Sequence, residues 1–411
     1  MSDETLRILK LLESGKISSQ EADQLLSALK DDVNDGGDDG YSYRYRHHHG
    51  RHHHGHPGRI VAEVMREVNP GRIVAEVMDN VHVPPLPRMP KMPKMPAMPE
   101  IAELGDGCFG RASAEDEQSV TVPAAGITAL TLSQPRSDIQ VKGGDGDQIT
   151  VTAQIQVWAG DRDEAEERLK SLKLVGENDN GTLRVKLDGP PWTKKRWTSA
   201  DFQITLPRGV ALELGTASGD IGLEGCHAGA TINTASGDIS LEDCRGEIAV
   251  SSASGDVELS GCAQLKARVQ TASGEIGLEG CAGSATLQTV SGDVEAEFDG
   301  DFSVTSVSGD VQAEIANAGN LVVRSTSGDI DIEVGSAGAL QLALASVSGD
   351  IALQLPDNAS ARLEAATVSG DIECELELAN REQKSRRLFG QLGGGQGQIT
   401  LNTTSGDISI S

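Results

Sequence analysis

Apolar and polar residues alternate with a period of two along most of residues 116–411, and this pattern predicts strands. The alternation is interrupted once, near residues 161–173, where the apolar spacing favours a helix. From residue 201 onward the alternation is tied to a recurring tripeptide, Ser-Gly-Asp, which once reads Ser-Gly-Glu. The serines of this tripeptide are Ser218, Ser236, Ser254, Ser273, Ser291, Ser308, Ser327, Ser348, Ser369 and Ser405.

The tripeptide has a fixed place in a longer repeat of 17 to 21 residues. Thr or Ser precedes each tripeptide serine by two positions, and Ile or Val follows that serine by three. One repeat cannot bury its own apolar side chains, so successive repeats must stack. The predicted fold class is therefore mainly β, a β-solenoid with about 18 residues per rung and about eleven rungs roughly 4.8 Å apart. The final spacing of 36 residues is interpreted as two periods, one of which lacks the tripeptide.

Each tripeptide is predicted to form a corner between two strands. Glycine adopts positive φ values at little steric cost, and aspartate stabilises such corners by hydrogen bonding to its own backbone. A corner offers too few oxygen atoms for the roughly six to eight ligands of Ca²⁺. Solvated turn residues are therefore preferred over cation ligands or catalytic carboxylates. The predicted turn ladder includes Gly219, Asp220, Gly237, Asp238, Gly255, Asp256, Gly292, Asp293, Gly309 and Asp310.

The pattern divides the chain into four regions. The first is interpreted as a helical hairpin, with a capping box formed by Ser18 and Glu21. Because two short helices bury little area, we expect this hairpin to bind a protein partner or to self-associate, which leaves oligomerisation open. The predicted regions are the hairpin (residues 1–31), a disordered low-complexity linker (32–115), a strand-rich segment (116–200) and the solenoid repeats (201–411).

The linker carries a nine-residue block, PGRIVAEVM, that occurs twice, followed by four Met-Pro pairs. The apolar residues of each block fall on one helical face, so we consider them candidate contacts for a partner; they include Ile60, Val64, Ile73 and Val77. A histidine tract precedes the blocks, and clustered imidazoles bind transition metals weakly. The weak metal candidates are His47, His48, His49, His52, His53, His54 and His56. No cofactor is predicted.

Composition narrows the functional classes further. The net charge of −27 repels phosphate groups, so we expect no nucleic-acid partner. Aromatic residues are only 3% of the chain and glycines number 48, which favours thin repetitive packing over a large enzyme core. The chain shows neither a membrane-spanning apolar run nor a signal peptide. These features predict a location in the cytoplasm or at the inner membrane face, with export to the cell surface by a non-standard route as the alternative.

Two clusters of residues remain as candidates for chemistry or contact. Cys226, Cys244, Cys262 and Cys281 each follow a tripeptide serine by eight positions, so they should stack on consecutive rungs as buried thiols. A chain of metal ions or disulfides between neighbouring rungs are the alternatives. The second cluster is basic and aromatic, and we expect it to contact anionic lipid or glycan, or to cover the end of the solenoid; it comprises Trp192, Lys194, Lys195, Arg196 and Trp197.

The Ser-Gly-Asp-Ile repeats and the strand-rich segment before them resemble the adhesin-like β-strand-repeat domain of bacteria and archaea, a domain of unknown function. The N-terminal sequence ILKLLESGKISSQEADQLLSAL resembles the SHOCT-like (LiaX-type) short helical domain that often precedes it. The resemblance covers about residues 1–31 and 120–411. It implies a non-enzymatic protein connected with the envelope or with cell-surface stress responses.

These observations favour a non-enzymatic scaffold or binding protein. It would act in an envelope-stress response or in cell-surface interaction, through an acidic β-solenoid that makes protein, peripheral membrane or envelope contacts. Residues 201–411 contain 10 Lys and Arg against 31 Asp and Glu, a net charge of −21. One alternative is a bactofilin-like cytoskeletal polymer, which the uncovered look of the last repeat favours. The other is a metal-responsive binding protein that uses the histidine tract.

Overall fold

The computed structural model describes residues 112–190, 198–336 and 340–411. The predicted helical hairpin and nearly all of the predicted linker lie outside these residues. Within them the chain forms 27 strands and a nine-residue helix. That helix is too short and too polar to cross a membrane, and no other helix occurs in the described ranges.

The strands are numbered in chain order. Those of the N-terminal part are β1 (Ala112–Pro123), β2 (Ala129–Arg136), β3 (Ile139–Gly144), β4 (Gln148–Ala159), β5 (Lys173–Asp179), β6 (Thr182–Asp188), β7 (Thr198–Pro207), β8 (Ala211–Ser218) and β9 (Ile221–Glu224). The middle repeats contain β10 (Ala230–Thr234), β11 (Ile239–Glu242), β12 (Gly246–Ser252), β13 (Val257–Ser260), β14 (Leu265–Ser273), β15 (Ile276–Ser291), β16 (Val294–Ser308), β17 (Val311–Asn317) and β18 (Asn320–Arg324). The remaining strands are β19 (Ile330–Ser336), β20 (Gln341–Ser348), β21 (Ile351–Gln354), β22 (Ala361–Ser369), β23 (Ile372–Cys374), β24 (Ala379–Lys384), β25 (Arg387–Leu392), β26 (Gly397–Ser405) and β27 (Ile408–Ile410).

Each repeat forms one rung with two strands joined at the tripeptide corner. Strands that precede a corner pair in parallel, as β8, β10, β12 and β14 do. Strands that follow a corner also pair in parallel, as β9, β11, β13 and β15 do. The predicted mainly-β solenoid is thereby confirmed.

The core consists of columns of inward side chains, because alternate residues of a strand point to opposite faces. The Ile or Val that follows each corner is buried on every rung, as Ile221, Ile239 and Val257 show. The Thr or Ser before each corner is buried as well, and most of these hydroxyl groups donate to a backbone carbonyl of the corner, as Thr234 does to Ser236. The core therefore contains a column of Thr and Ser side chains beside a column of Ile and Val side chains.

The first rung begins well before the repeat signature. Strand β2 pairs in parallel with β8, and β3 pairs with β9. Arg136, Ser137 and Asp138 stand where later rungs have Ser-Gly-Asp, so this corner lacks the tripeptide. With this corner, eleven corners are stacked in the described residues. The number equals the predicted one by coincidence, because this rung lies in the region assigned only as strand-rich, whereas the eleventh rung was predicted between Ser369 and Ser405. Strands β6 and β7 pair in parallel with β2 and β3 and extend the stack by one further layer.

The N-terminal end of the solenoid is covered by antiparallel strands and the helix α1 (Arg162–Lys170). Strand β4 pairs antiparallel with both β1 and β7, and α1 packs against β1 and β4. The backbone N–H of Glu164 donates to the side chain of Asp161 at 2.8 Å, which caps the helix. This confirms the helix predicted from the interrupted alternation.

The other end departs from the predicted order of rungs. Strand β26 lies between β20 and β22, and β27 lies between β21 and β23. The 36 residues between Ser369 and Ser405 are not two rungs, because β24 and β25 form an antiparallel hairpin along the outer edge of β22. The interpretation of a repeat without its tripeptide is therefore wrong. The chain instead turns back and inserts its next repeat one rung earlier.

Side chains of the hairpin also cover the terminal strand β23. The Gln383 side-chain amide donates to the carbonyl of Ile372 at 3.3 Å, and Arg381 donates to that of Cys374 at 3.5 Å. Blocking a strand edge in this way disfavours pairing with another chain. The polymer alternative was favoured because the last repeat looked uncovered in the sequence. In the folded solenoid the hairpin side chains cover the terminal strand β23.

Candidate functional site: the solenoid faces

The predicted turn ladder consists of residues that set the backbone conformation of the corners. Every tripeptide glycine has a φ value between +117° and +154°, a region that residues with a Cβ rarely adopt. A Cβ on Gly309 would also meet the carbonyl oxygen of Gly292 on the preceding rung, and the same overlap recurs at each tripeptide. The predicted role of glycine at positive φ is confirmed.

The corner aspartates connect neighbouring rungs. The Asp238 N–H donates to Oδ1 of Asp220 at 2.9 Å, and the Asp329 N–H donates to Oδ1 of Asp310 at 2.8 Å. The prediction that each aspartate bonds its own backbone is wrong, because the stacked corner places the next rung's N–H within reach. Glu275 is the exception. Its own N–H donates to Asp256, but within the described structure its carboxylate accepts no bond from the N–H of Asp293. The turn ladder is therefore better explained as structure than as a binding site.

The four cysteines line the opposite corner of the rungs. Cys226, Cys244, Cys262 and Cys281 are free thiols no more than 2% exposed, on four consecutive rungs as predicted. Phe298 occupies the equivalent core position on the next rung, where it pairs with Cys281. Because an aromatic ring continues the column of cysteines, we interpret these cysteines as small apolar side chains that pack in the core.

Hydrogen bonds hold these thiols in place. Each sulfur donates to a backbone carbonyl, as Cys262 does to Ser260 at 3.5 Å and Cys281 does to Leu259 at 3.4 Å. A hydrogen bond with Cys244, followed by burial, raises the pKa of the Cys226 thiol. Hydrogen bonds with Cys244 and Cys281, followed by burial, raise the pKa of Cys262. The same hydrogen bonds between neighbouring sulfurs lower the pKa of Cys244 and of Cys281. In the described ranges no three His, Cys, Asp or Glu side chains are arranged to hold a metal ion.

The two sheets of the solenoid differ in charge. We call the exposed carboxylates on the strands that follow a corner, four or six positions after the tripeptide serine, the acidic sheet. It comprises Glu224, Glu242, Glu258, Glu279, Glu295, Glu297, Glu314, Asp331, Glu333 and Glu373. Of these, only Glu224 has an ion-pair partner among the described residues, Lys142 at 2.7 Å. The other carboxylates of the acidic sheet have no ion-pair partner among the described residues.

The sheet on the other side, which we call the polar sheet, carries balanced charges on the strands that precede a corner. Lys266 and Glu247 form an ion pair there at 3.2 Å. Its outward charged residues are Glu213, Glu247, Asp301 and Glu364 with Lys266, Arg268, Arg324 and Arg362. Of the two sheets, only the acidic sheet therefore carries an excess of negative charge, in addition to the acids at the corners.

Like charges on the acidic sheet face each other directly. Glu297 pairs in register with Glu314, which pairs with Glu333 on the next rung. Two unit charges about 4.8 Å apart repel by roughly 0.9 kcal/mol in water. Around Gly277, which lacks a side chain, the neighbouring carboxylates border a shallow groove of about 590 Å³. A positively charged partner would relieve this repulsion.

The remaining candidates lie outside the described residues. They are the histidine tract, the basic-aromatic cluster and both PGRIVAEVM blocks, so they stay predictions. Sequence reasoning did not identify the acidic sheet. The signal was present, because glutamate recurs six residues after most tripeptide serines, as Glu224, Glu242 and Glu279 do. It became interpretable only when the strands had been assigned to one sheet.

Several solved structures resemble this chain at low identity, and three of them each cover 72% of it. A candidate cell adhesion protein from Clostridium sporogenes is 11% identical, with 99% of that chain covered and a TM-score of 0.20. A candidate lipid-binding protein from Parabacteroides distasonis is 13% identical, with 97% covered and a TM-score of 0.33. A candidate adhesin from Parabacteroides merdae is 9% identical, with 96% covered and a TM-score of 0.23. At these TM-scores the likenesses carry no argument here.

Two family models match this chain. Residues 3–32 match a SHOCT-like domain, which agrees with the N-terminal resemblance. A search of curated proteins returns no match. The Toastrack DUF4097 model matches residues 127–341 and 317–411, which include every rung described above, and this chain therefore belongs to the Toastrack DUF4097 family.

Proposed function

We propose that this protein is a non-enzymatic scaffold that binds a positively charged partner through the acidic sheet of its solenoid. The observation that supports the proposal is the unequal charge of the two sheets. Ten exposed acidic side chains on one sheet have Lys142 as their sole ion-pair partner in the described residues. The polar sheet, in contrast, carries charges of both signs. Complementary charge gives such a surface specificity for a cationic partner and speeds association.

The proposed setting is an envelope-stress response or cell-surface interaction. The N-terminal SHOCT-like domain and the PGRIVAEVM blocks would contribute a protein partner or self-association, and the solenoid would contribute the acidic surface. The proposed location is the cytoplasm or the inner membrane face. Protease treatment of intact cells tests this location. We expect the solenoid to resist cleavage until the cells are opened, whereas cleavage on intact cells would favour the surface alternative.

Charge neutralisation on the acidic sheet tests the binding surface. We expect the triple variant Glu295→Gln, Glu297→Gln and Glu314→Gln to weaken binding of a fluorescent deca-lysine peptide by about 10- to 100-fold at low salt, since each close charge contributes roughly 0.5–1 kcal/mol. The matched control is Glu213→Gln, Glu247→Gln and Glu364→Gln on the polar sheet, which changes the net charge equally. Fluorescence anisotropy measures both affinities.

The control separates a binding face from general attraction to an acidic protein. We expect it to weaken binding by less than about threefold, because its glutamates lie on the other sheet. Equal losses for the two triple variants would show that net charge alone attracts the peptide. The proposed binding face would then be excluded.

A further inference from the structure

The repeat formed by residues 397–411 fills a slot between two rungs that precede it in the chain. On one side, the Gly349 N–H donates to the Ser405 carbonyl at 3.0 Å, and the Ile351 N–H donates to the Asp407 carbonyl at 2.9 Å. The Leu355 N–H also donates to the Ser411 carbonyl at 2.9 Å. The segment is therefore bonded along its length to the rung that contains β20 and β21.

The same segment is bonded on its other side with the same geometry. The Gly406 N–H donates to the Ser369 carbonyl at 3.0 Å, and the Ile408 N–H donates to the Asp371 carbonyl at 3.0 Å. The corner aspartates continue the series, because the Asp371 N–H donates to Oδ1 of Asp407 at 2.8 Å. The carbonyl groups of Ser369 and Asp371 thus accept hydrogen bonds from the segment. The carbonyl groups of Ser405 and Asp407 accept equivalent bonds from the rung that contains β20 and β21.

Every rung presents equivalent hydrogen-bonding groups. The slot therefore requires a segment with the geometry of a repeat, and it does not require that this segment be covalently linked to the same chain. Register in such an array is set by the corner and by the inward aliphatic column, and segment 397–411 supplies both through Gly406 and Ile408. Any copy of this segment satisfies the slot equally well. A strand that completes a sheet between two open edges is the geometry of β-strand addition.

The connection to this segment is short and rich in glycine. Strands β25 and β26 lie on opposite sides of β22, so residues 393–396 must span about two strand spacings, roughly 9.6 Å. Gly393 and Gly395 have positive φ values of +50° and +65°. Short hinge loops of this kind favour exchange of the element that follows them.

We propose that residues 397–411 are an exchangeable rung, and that the slot between β20–β21 and β22–β23 also accepts this segment from a second copy of the chain. Reciprocal exchange then yields a dimer in which each solenoid is completed by its partner. This proposal does not depend on the acidic sheet or on the proposed function.

Shortening the hinge in the full chain tests the proposal. With Gly393, Gly394 and Gly395 deleted, two Cα–Cα steps reach at most about 7.6 Å, which is less than the roughly 9.6 Å needed for insertion into the same molecule. We expect this variant to double its molar mass in light scattering while keeping the circular dichroism spectrum of the native chain. A matched variant with residues 393–396 duplicated should remain a monomer. A folded monomer from the shortened chain would overturn the proposal.

A second experiment covers the outcome in which the shortened chain fails to fold. A protease site is placed between Gly394 and Gly395 of the full chain, the chain is cleaved, and a fluorescent peptide with the sequence of residues 397–411 is added in excess. We expect the peptide to enter the cleaved protein, and its Ile408→Asp version to bind at least about 100-fold more weakly because a charge would enter the core. Failure of the unmodified peptide to enter a cleaved protein that keeps its native spectrum would also overturn the proposal.

Discussion

Replacing Gly309 with valine is expected to destabilise the solenoid by at least about 3 kcal/mol, since it combines a strained backbone with a steric overlap. The φ of Gly309 is +127°, and a Cβ there meets the carbonyl oxygen of Gly292. The rung can relieve the overlap only by moving away from its neighbour. In a stacked array this movement weakens the interface on which both rungs depend. The midpoint of urea denaturation measures the loss.

Gly277→Ala is the matched control for this substitution. Gly277 lies in β15 without a positive φ, and the nearest atom to an added Cβ is Cγ of Glu258 at 4.0 Å. Alanine there is expected to change the stability by less than about 0.5 kcal/mol. If both substitutions shifted the urea midpoint equally, the need for glycine at the corners would not come from their backbone geometry.

The thiol column is expected to react at least about a thousandfold more slowly in the native protein than in denaturant. Cys226, Cys244, Cys262 and Cys281 are at most 2% exposed, so a reagent reaches them only after the rungs open. Burial also disfavours the charged thiolate at each of the four sulfurs, so opening of the rungs controls the rate. A chromogenic disulfide reagent measures the rate.

Two other cysteines must be removed before this measurement. Cys374 is only partly buried, and Cys108 lies outside the described residues. In a Cys108→Ser, Cys374→Ser background the remaining signal comes from the column alone. Fast reaction of all four thiols before unfolding would show that this corner opens readily or that the cysteines do not fill the core.

The sequence predicted the rungs well because their chemistry is local. The positive φ of a corner such as Gly309 and the inward Ile or Val that follows it are both requirements of a few neighbouring residues. The stacking of the four cysteines followed from their constant distance to the corner. The first rung escaped detection because Arg136-Ser137-Asp138 replaces the tripeptide, and 82 residues separate Asp138 from Asp220, the next corner acid.

The candidate site was less accessible from the sequence. Total charge is a property of composition, but the acidic sheet exists because alternate residues of successive repeats share one outward face. Glu297, Glu314 and Glu333 become neighbours only when their rungs stack in register. The bond from each corner N–H to the preceding aspartate was likewise invisible, because the two groups belong to different repeats.

By itself the sequence determined the repeating unit: the corner glycine, the inward aliphatic column, the thiol column and their stacking into a solenoid. Only the tertiary structure decided the order of the final rungs, with residues 397–411 between two earlier repeats. The physical reason is that every repeat offers the same hydrogen-bonding groups and the same corner. Pairing preferences between repeats are therefore nearly equal, and the hairpin of β24 and β25 together with the Gly393–Gly395 connection selects which rungs meet.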